Sequence, residues 1–447
     1  MSLEVRYKGT DSELVFSGNA LSGVNLVTEA DPSLCSITAD SLSFTIQVEE
    51  GTTLDLQEGQ RVELYKDGDL EHTQFVKDFE RLGRNRYRLV CQSRIGVMND
   101  TYYGKIHTPG GPVGNNTDGY YSRSGNLWRT ASFLLDQIAS ESHCSTSYTQ
   151  AGGLEDTVVA GYLPICSQQD ALQQVTFAAG LLVSTRDGNL NFHKISPVVS
   201  GSFVKGDIFY GGKVKEYPLY HEVSVNSLYE KYVDQAWKDE QPEGEAARVE
   251  ISRFAHMSEV PVIDLSSDLE VVSETDYGAK WYDRYNEYEE PSGDQYIEFQ
   301  KKIHTRTINT ATGKKNTLSV GNCTLLFQGA YYHDWKTYDE NGDLVPREKI
   351  YTENVQAVLD RLEAYAGLRV LVEQEVIVRD QRVGDYVRTV TPWDTYVEGY
   401  IISMDSTLTQ NGHRARVKIL GKYVDYTPEY SSRLGEFILG ESALGGI

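Results

Sequence analysis

Apolar and polar residues alternate over much of the first part of the chain. Within the segment 37–48, every second residue from Leu42 to Val48 is apolar, and a period of two is typical of a half-buried strand. Two further alternating runs flank Asp67-Gly68, a dipeptide favoured in tight hairpins because it tolerates positive φ. Residues 1–100 are therefore predicted to form an antiparallel β domain, a sandwich or a barrel.

Three segments instead space their apolar residues by three and four positions, which predicts amphipathic helices. The first spans 128–142, and the second opens at 167–168 and is predicted to end at Gly180. The third begins at Thr352, with Gly367 as its C-terminal cap. Glycine suits both caps because it adopts the left-handed backbone without steric cost. Strand patterns return after each of the last two helices.

The order of these patterns predicts a β-rich α+β protein of several domains. Between 99 and 126, closely spaced Gly, Asn and Thr predict a long loop. The final segment repeats Leu-Gly every five residues and is either a flexible end or an arm that a partner orders. The predicted units are a β domain at 1–100, an α+β insertion at 101–198, a second β domain at 199–335, a helix-plus-strand module with a closing β unit at 336–432, and a Gly-rich arm at 433–447.

The charge disfavours recognition of nucleic acid. The 447 residues include 42 Lys and Arg against 65 Asp and Glu, a net charge of −23, so the surface as a whole repels phosphate. The acidity is explained either by solubility or by an acidic lumen through which DNA passes without binding. We expect a soluble protein made in a cytoplasm, since the start lacks a signal-peptide pattern and no run reaches the roughly 18 apolar residues of a membrane span.

The sequence contains no complete motif for catalysis or metal binding. Gly440-Glu441-Ser442-Ala443 has Leu444 where a nucleophile elbow requires glycine. His143 and Cys144 are neighbours in sequence, and adjacent residues at a helix end point in different directions. The five cysteines are far apart, which favours reduced thiols over disulfides or a zinc site. Nine histidines show no metal-binding spacing.

Two weaker patterns have ordinary explanations. The segment 339–348 resembles a calcium loop, but Leu344 stands where that loop needs glycine. Acidic pairs such as Glu49 and Glu50, or the cluster 287–290, are too common in this chain to indicate a glycosidase. We therefore predict no enzyme activity, no catalytic, cofactor-binding or metal-binding residue, and no cofactor.

Tyrosine is abundant, with 30 residues against 13 phenylalanines. A tyrosine ring is apolar while its hydroxyl stays hydrated, which suits partly wet interfaces. The tyrosine-rich clusters are interpreted either as contacts to subunits or glycans or as ordinary half-buried strand residues: Tyr102-Tyr103, Tyr120-Tyr121, Tyr282, Tyr285, Tyr288 and Tyr331-Tyr332.

Most of the chain, from about Gly18 to Leu420, resembles the hub proteins of bacteriophage and prophage tails. The resemblance rests on the order of elements and on four stretches: GNALSGVNLVTEADPSLCSITADSLSFTI, VELYKDGDLEHTQFVKDFERLGRNRYRLVCQSRIGVM, GYLPICSQQDALQQVTFAAGLLVSTRDGNLNF and EQEVIVRDQRVGDYVRTVTPWDTYVEGYIISMDSTLTQNGHRARVKIL.

The resemblance implies two tube-like antiparallel β-barrel domains, each with an α+β insertion, and three copies in a pseudo-six-fold ring. It implies a virion structural protein at the tail tip or baseplate. There it would join the tail tube or distal tail protein to a spike or fibre, and pass DNA or the tape-measure protein. Two alternatives stay open: a tail-associated peptidoglycan hydrolase, and a receptor- or glycan-binding tail protein.

Overall fold

The computed structural model describes sixteen stretches of the chain. The described residues are 2–9, 13–50, 54–102, 120–121, 127–148, 158–161, 166–209, 211–232, 249–250, 262–264, 270–271, 280–285, 291–320, 327–328, 347–409 and 412–426. Within them, no helix combines the length and the hydrophobicity that crossing a membrane requires.

Most of the secondary structure is extended. The strands are β1 (Leu3–Lys8), β2 (Glu13–Ser17), β3 (Leu21–Glu29), β4 (Ser41–Gln47), β5 (Arg61–Lys66), β6 (Asp69–Gly83), β7 (Arg86–Gln92), β8 (Thr101–Tyr102), β9 (Tyr120–Tyr121), β10 (Leu127–Thr130), β11 (Thr146–Tyr148), β12 (Val158–Gly161), β13 (Cys166–Ser167), β14 (Leu181–Ser184), β15 (Leu190–Lys194), β16 (Gly201–Phe203), β17 (Lys213–Glu216), β18 (Glu222–Tyr232), β19 (Val249–Glu250), β20 (Val262–Asp264), β21 (Glu270–Val271), β22 (Lys280–Tyr285), β23 (Pro291–Thr307), β24 (Thr317–Val320), β25 (Phe327–Gln328), β26 (Val370–Ile377), β27 (Tyr386–Val390), β28 (Tyr396–Thr409) and β29 (Gly412–Val424). The helices are α1 (Arg94–Val97), α2 (Ala131–Glu141), α3 (Gln168–Ala179) and α4 (Arg347–Ala366), with short 3-10 turns at Gly18–Ala20 and Lys205–Asp207.

One large sheet contains strands from both ends of the chain. It has thirteen strands, in the order β17-β26-β29-β28-β3-β4-β7-β6-β5-β1-β2, with β27 and β16 attached beside β28. Strands β1–β7 enclose one apolar core, centred on Val5, Leu42 and Val62. Strands β16 and β26–β29 enclose another, centred on Val372, Ile401 and Val417. We call these two parts the N-terminal β unit and the C-terminal β unit.

The two β units are joined strand to strand. The register runs from Ser403 opposite Glu29 to Leu408 opposite Val24, so β28 and β3 form an antiparallel ladder. Asn25 Nδ2 donates to Asp405 Oδ1 across this ladder at 2.8 Å, and Leu408 packs into the N-terminal core. Backbone hydrogen bonding and apolar burial therefore fix the two units to each other.

Helices α2 and α3 cover the small sheet β11-β15-β14, and their buried faces share a core with Leu190 and Phe192. The hairpin between β14 and β15 lies against β6: the Thr73 amide donates to the Arg186 carbonyl at 2.7 Å. Arg94 Nε donates to the Gly188 carbonyl at 3.2 Å. These contacts attach the α+β unit to the N-terminal β unit.

Helix α4 packs between α3 and a second sheet of seven strands that includes β18, β20–β25. The Arg361 guanidinium donates to the Phe177 carbonyl at the end of α3, a carbonyl that also accepts from the Gly180 amide at 3.3 Å. Arg306 on β23 forms an ion pair with Asp360 on α4 at 2.5 Å. Apolar packing and these charged contacts hold the helix on the sheet.

The β-rich α+β class predicted from the sequence is confirmed. The barrels that the resemblance implied are not closed within the described residues: β2, β16 and β17 each pair on one side only and end the large sheet. The physical reason is that β3 and β28 use their edges to join the two units. The domain boundaries stay a prediction, although β16 and β17, from the region 199–335, pair with C-terminal strands.

Several local predictions are confirmed. Asp67 and Gly68 have φ of 52° and 93° in the β5–β6 hairpin, and Ser167 Oγ accepts from the Asp170 amide at 3.0 Å as the cap of α3. Gly180 ends α3 with φ of 74°. Two helix starts were wrong: α2 begins at Ala131, because 127–130 pair as β10, and α4 begins at Arg347, five residues before Thr352, on a polar turn without an apolar stripe.

Candidate functional site

The metal-binding patterns considered in the sequence form no metal site within the described residues. In the described stretches, no group of three or more His, Cys, Asp or Glu side chains lies close enough together to hold a metal ion. Residues 339–346 of the calcium-like segment 339–348, the acidic cluster 287–290 and the Gly-Glu-Ser-Ala tetrapeptide at 440–443 lie outside the described residues. No site of that kind can therefore be built from the described side chains.

Cys144 follows the end of α2, beyond His143, whose φ is 52°. Its thiol donates to the Ala139 carbonyl at 3.5 Å, and burial raises the pKa of this thiol above its ordinary value. A nucleophilic cysteine needs a lowered pKa, because the thiolate is the reactive form. The surroundings of Cys144 therefore favour an inert thiol.

One serine and one histidine do meet, at a place that the sequence analysis did not single out. Ser227 Oγ and His304 Nε2 lie 2.5 Å apart between β18 and β23. Both residues have an exposed fraction of 0%. A hydrolytic serine must reach its substrate, so this enclosed pair serves to hydrogen-bond two buried polar groups across the sheet.

The feature with functional potential is an open edge of the large sheet. Strand β2 is its last strand and pairs only with β1, in an unbroken ladder from Glu4 opposite Ser17 to Lys8 opposite Glu13. Within the described residues, no strand pairs with the backbone groups on the other side of β2. A strand edge of this kind offers hydrogen-bond donors and acceptors to another chain.

The outer face beside this edge carries a closed set of charge pairs. Lys8 Nζ lies 2.5 Å from Glu13 and 3.6 Å from Glu63, and Arg61 lies 2.7 Å from Glu63. The hydrogen bond with Lys8 lowers the pKa of Glu13, so its carboxylate stays ionised. Arg6 donates to Glu4 at 2.5 Å. The charged residues of this outer face are thus paired with one another across the three strands: Glu4, Arg6, Lys8, Glu13, Arg61 and Glu63.

The remaining side chains of β2 are apolar at its centre. Val15 points to the outer face beside Arg6 and is 53% exposed. On the opposite face, Phe16 is buried in the N-terminal core at 6% exposure, and Leu14 packs against that core. A strand added beyond β2 would meet an apolar centre and no unpaired charge.

Three other edges of the large sheet are protected. Within the described residues, β16 pairs only with β27 and has just three residues, and very short edge strands resist pairing with other chains. Strand β17 has only four residues, and two of them, Lys213 and Lys215, are positively charged. In β6, the stretch 77–83 pairs with β7 only, but register shifts interrupt it between Val76 and Asp78 and between Arg81 and Gly83. Lysines and bulges are the devices that natural proteins place on edges to prevent unwanted pairing.

A second exposed feature is Trp393, 64% exposed at the turn between β27 and β28. The turn is held by the hydrogen bond from the Thr391 amide to the Thr395 carbonyl, 2.8 Å, and by the ion pair between Lys205 and Asp394, 2.5 Å. The ring is therefore presented by a fixed backbone. Large aromatic rings held in this way are frequent in protein contacts.

The tyrosine clusters predicted as contact surfaces stay a prediction. Tyr102, Tyr120, Tyr121, Tyr282 and Tyr285 lie in short strands without described side-chain surroundings. The other members, and the arm 433–447, lie outside the described residues. Sequence reasoning missed β2 altogether, although the run ELVF, with no lysine or proline, carried the signal of an unprotected strand.

Comparisons with known proteins concern the fold. No protein-family model and no curated protein matches the sequence. Among solved structures, the chain is similar to the 43 kDa tail protein of prophage MuSo2 from Shewanella oneidensis, with 10% identity, a TM-score of 0.47, and coverage of 94% of this chain and 98% of that one.

Two further solved structures are similar to the same degree. A tail protein from Neisseria meningitidis shows 12% identity and a TM-score of 0.48, with coverage of 94% of this chain and 97% of that one. Prophage tail protein gp18 from Listeria monocytogenes shows 9% identity and a TM-score of 0.49, with coverage of 94% of each chain. All three are described as tail proteins, two of them from prophages.

Proposed function

We propose that this chain is a structural protein of a bacteriophage-type tail, and that it forms the hub at the distal end of the tail tube. In this role it works by assembly and makes or breaks no covalent bond. Three copies would form a ring that joins the tube or distal tail protein above to a spike or fibre below. DNA and the tape-measure protein would pass through the ring without specific binding.

The observation that carries the proposal is the strand pairing of β3 with β28. It sets two β units, each with its own core, side by side in one sheet within a single chain. A chain that carries two such units can supply two positions of a ring, so three copies supply six. This matches the pseudo-six-fold arrangement implied by the sequence resemblance to tail hubs.

The charge supports the same role. A net charge of −23 disfavours adhesion of DNA to the protein, which suits a conduit.

Immunogold electron microscopy of intact tails tests the proposal. Tails would be purified from the phage or prophage that encodes the chain and labelled with antibodies against it. We expect gold at the distal end of the tube only, and deletion of the gene should leave tubes without a spike or fibre. Label along the whole tube, or on the capsid, would contradict the hub.

The hydrolase alternative requires a separate measurement. Purified chain would be applied to a gel containing peptidoglycan, with lysozyme as positive control. The proposal predicts no clearing by this chain. A cleared zone at its position would show that it cleaves cell wall and would contradict a purely structural role.

A further inference from the structure

We infer that β2 is an interface between two copies of this chain, in which the β2 strands pair antiparallel about a two-fold axis at Val15. The inference concerns a particular edge and its occupant, and it does not depend on the tail role. An isologous pair joins two copies and cannot by itself close a ring of three. The contact is therefore additional to the one that would close the proposed hub.

The first argument is that β2 lacks the protection found on the other open edges. Its five residues form an uninterrupted ladder with β1 and contain no lysine, no proline and no bulge. By contrast, Lys213 and Lys215 occupy half of β17. An edge that is left unprotected is expected to be covered in the working assembly.

The second argument is that β2 is complementary to itself. With Val15 opposite Val15 of the second copy, Leu14 meets Phe16, and Glu13 meets Ser17. The apolar residues thus face apolar residues, and the only charge lies opposite a hydroxyl. Apolar cross-strand pairs stabilise a ladder, whereas like charges directly opposite destabilise it.

The third argument concerns orientation. A parallel pairing in register would place Glu13 beside Glu13 of the second copy, where the two carboxylates repel. Glu13 already has its cation in Lys8, at 2.5 Å, so the β1–β2 pair offers no further positive charge to an incoming carboxylate. The antiparallel pairing separates the two Glu13 residues by about 13 Å, four residues at roughly 3.3 Å each.

Disulfide trapping tests this geometry. Val15→Cys should form a covalent dimer under mild oxidation, because opposite residues in an antiparallel ladder have Cα atoms about 4.5 to 5.5 Å apart, within the range of a disulfide. Glu13→Cys alone should not cross-link, and neither should Ser17→Cys alone. A mixture of the two variants should give the dimer.

The native cysteines set the background. Cys91 is buried, and Cys35 and Cys144 are half-buried free thiols, so wild-type protein under the same oxidation is the control. Cross-linking of Glu13→Cys alone would show a parallel arrangement. That result, or a Val15→Cys protein that stays monomeric, would overturn the inference.

The mass in solution provides an independent readout that needs no oxidation. Val15→Lys should weaken association by about tenfold or more, since it places two lysines on the two-fold axis. Val15→Thr, which keeps the β-branched shape, is the matched control and should weaken it less. Val15 is 53% exposed, so both variants should fold, which circular dichroism would check.

The outcomes for the hub and for β2 are distinguishable. Distal gold label on tails with no Val15→Cys dimer would leave the hub and remove the β2 contact. A Val15→Cys dimer without distal label would do the reverse. If another protein occupied β2, oxidation of Val15→Cys would give no dimer of this chain, and the inference would be wrong.

Discussion

At one end of the large sheet, β2 presents three apolar residues in an unbroken ladder of five, whereas at the other end β17 carries two lysines among four residues. In the part of the chain that the structure describes, both strands pair on one side only. Both backbones therefore offer hydrogen-bond donors and acceptors on the other side. The lysines of β17 oppose pairing with another strand, whereas the apolar side chains of β2 favour it. Lysines keep an edge hydrated and prevent it from pairing with other strands, whereas an exposed apolar edge costs free energy until another strand covers it.

This difference teaches that the two ends of one sheet need not have the same role. The β17 end is built to stay in water, and the β2 end is built to be joined. The comparison presupposes that both ends belong to one sheet, which depends on β28 and its neighbours. Four changes break or sharpen it, in order of decreasing effect.

The largest effect is expected where β28 and β29 approach most closely. A Cβ atom at Gly399 would lie 2.3 Å from the Leu420 carbonyl oxygen and 2.4 Å from the Gly421 Cα. Gly399→Ala must force these strands apart, and we expect a loss of about 3 to 5 kcal/mol in the free energy of unfolding, measured in urea. Gly206→Ala, where no atom lies within 4 Å, should change it by about 0.5 kcal/mol or less. Equal effects of the two substitutions would contradict the tight approach.

The second largest effect depends on pH and is expected at Asp40, the residue before β4 in the N-terminal β unit. Burial raises the pKa of Asp40 to about 7, and the carboxylate of Glu29 acts in the same direction. The folded protein thus favours the neutral acid, so its free energy of unfolding should fall as the pH rises from about 4 to about 7. Asp40→Asn should be more stable than wild type by about 2 to 4 kcal/mol at pH 8, with a difference that shrinks towards pH 4. A difference independent of pH would show that Asp40 titrates normally.

The third effect is expected at His413, near the junction of the two units, and its dependence on pH is opposite to that of Asp40. Burial lowers the pKa of His413 to about 4, with a smaller contribution from Lys66, and its Nε2 lies 2.9 Å from Ser406 Oγ. The folded protein favours the neutral imidazole, so stability should be complete above about pH 6.5 and fall as the pH falls towards 4. His413→Gln should lose roughly 2 kcal/mol less than wild type over this interval, in urea unfolding at the two pH values. Parallel losses in both proteins would exclude this histidine as a cause.

The smallest effect sharpens the comparison itself. Replacing both Lys213 and Lys215 with threonine removes the positive charges of β17 and keeps its β-propensity. We expect unchanged stability within about 0.5 kcal/mol but new association that increases with protein concentration, followed by light scattering. The charge-conserving Lys213→Arg, Lys215→Arg protein is the control. If the threonine protein associates no more than the control, the lysines do not protect this edge.

Much of the fold could be predicted from local pattern. The cap at Ser167, the stop at Gly180 and the hairpin at Asp67-Gly68 follow from residue types whose backbone preferences act over a few positions. The alternation in the first part of the chain likewise predicted buried Phe44 and Leu42 correctly.

Two features could not be predicted from the sequence: the long-range strand pairing and the open edge at β2. Nothing in the alternation of Leu21–Glu29 indicates that its partner is a strand nearly four hundred residues later, because many strands have compatible patterns. The openness of β2 is also a property of the assembled sheet: its sequence shows an apolar strand without lysine, but only the strand order shows that one side is unpaired. The tail role itself rests on resemblance and stays a proposal.

Hydrogen exchange measured by mass spectrometry tests the contrast between the two edges most directly. The account predicts that amides in Glu13–Ser17 exchange more slowly as protein concentration rises, while those in Lys213–Glu216 exchange at a constant rate. Exchange in β2 that is independent of concentration, or equal slowing in both strands, would contradict the claim that copies of this chain join at β2 and not at β17.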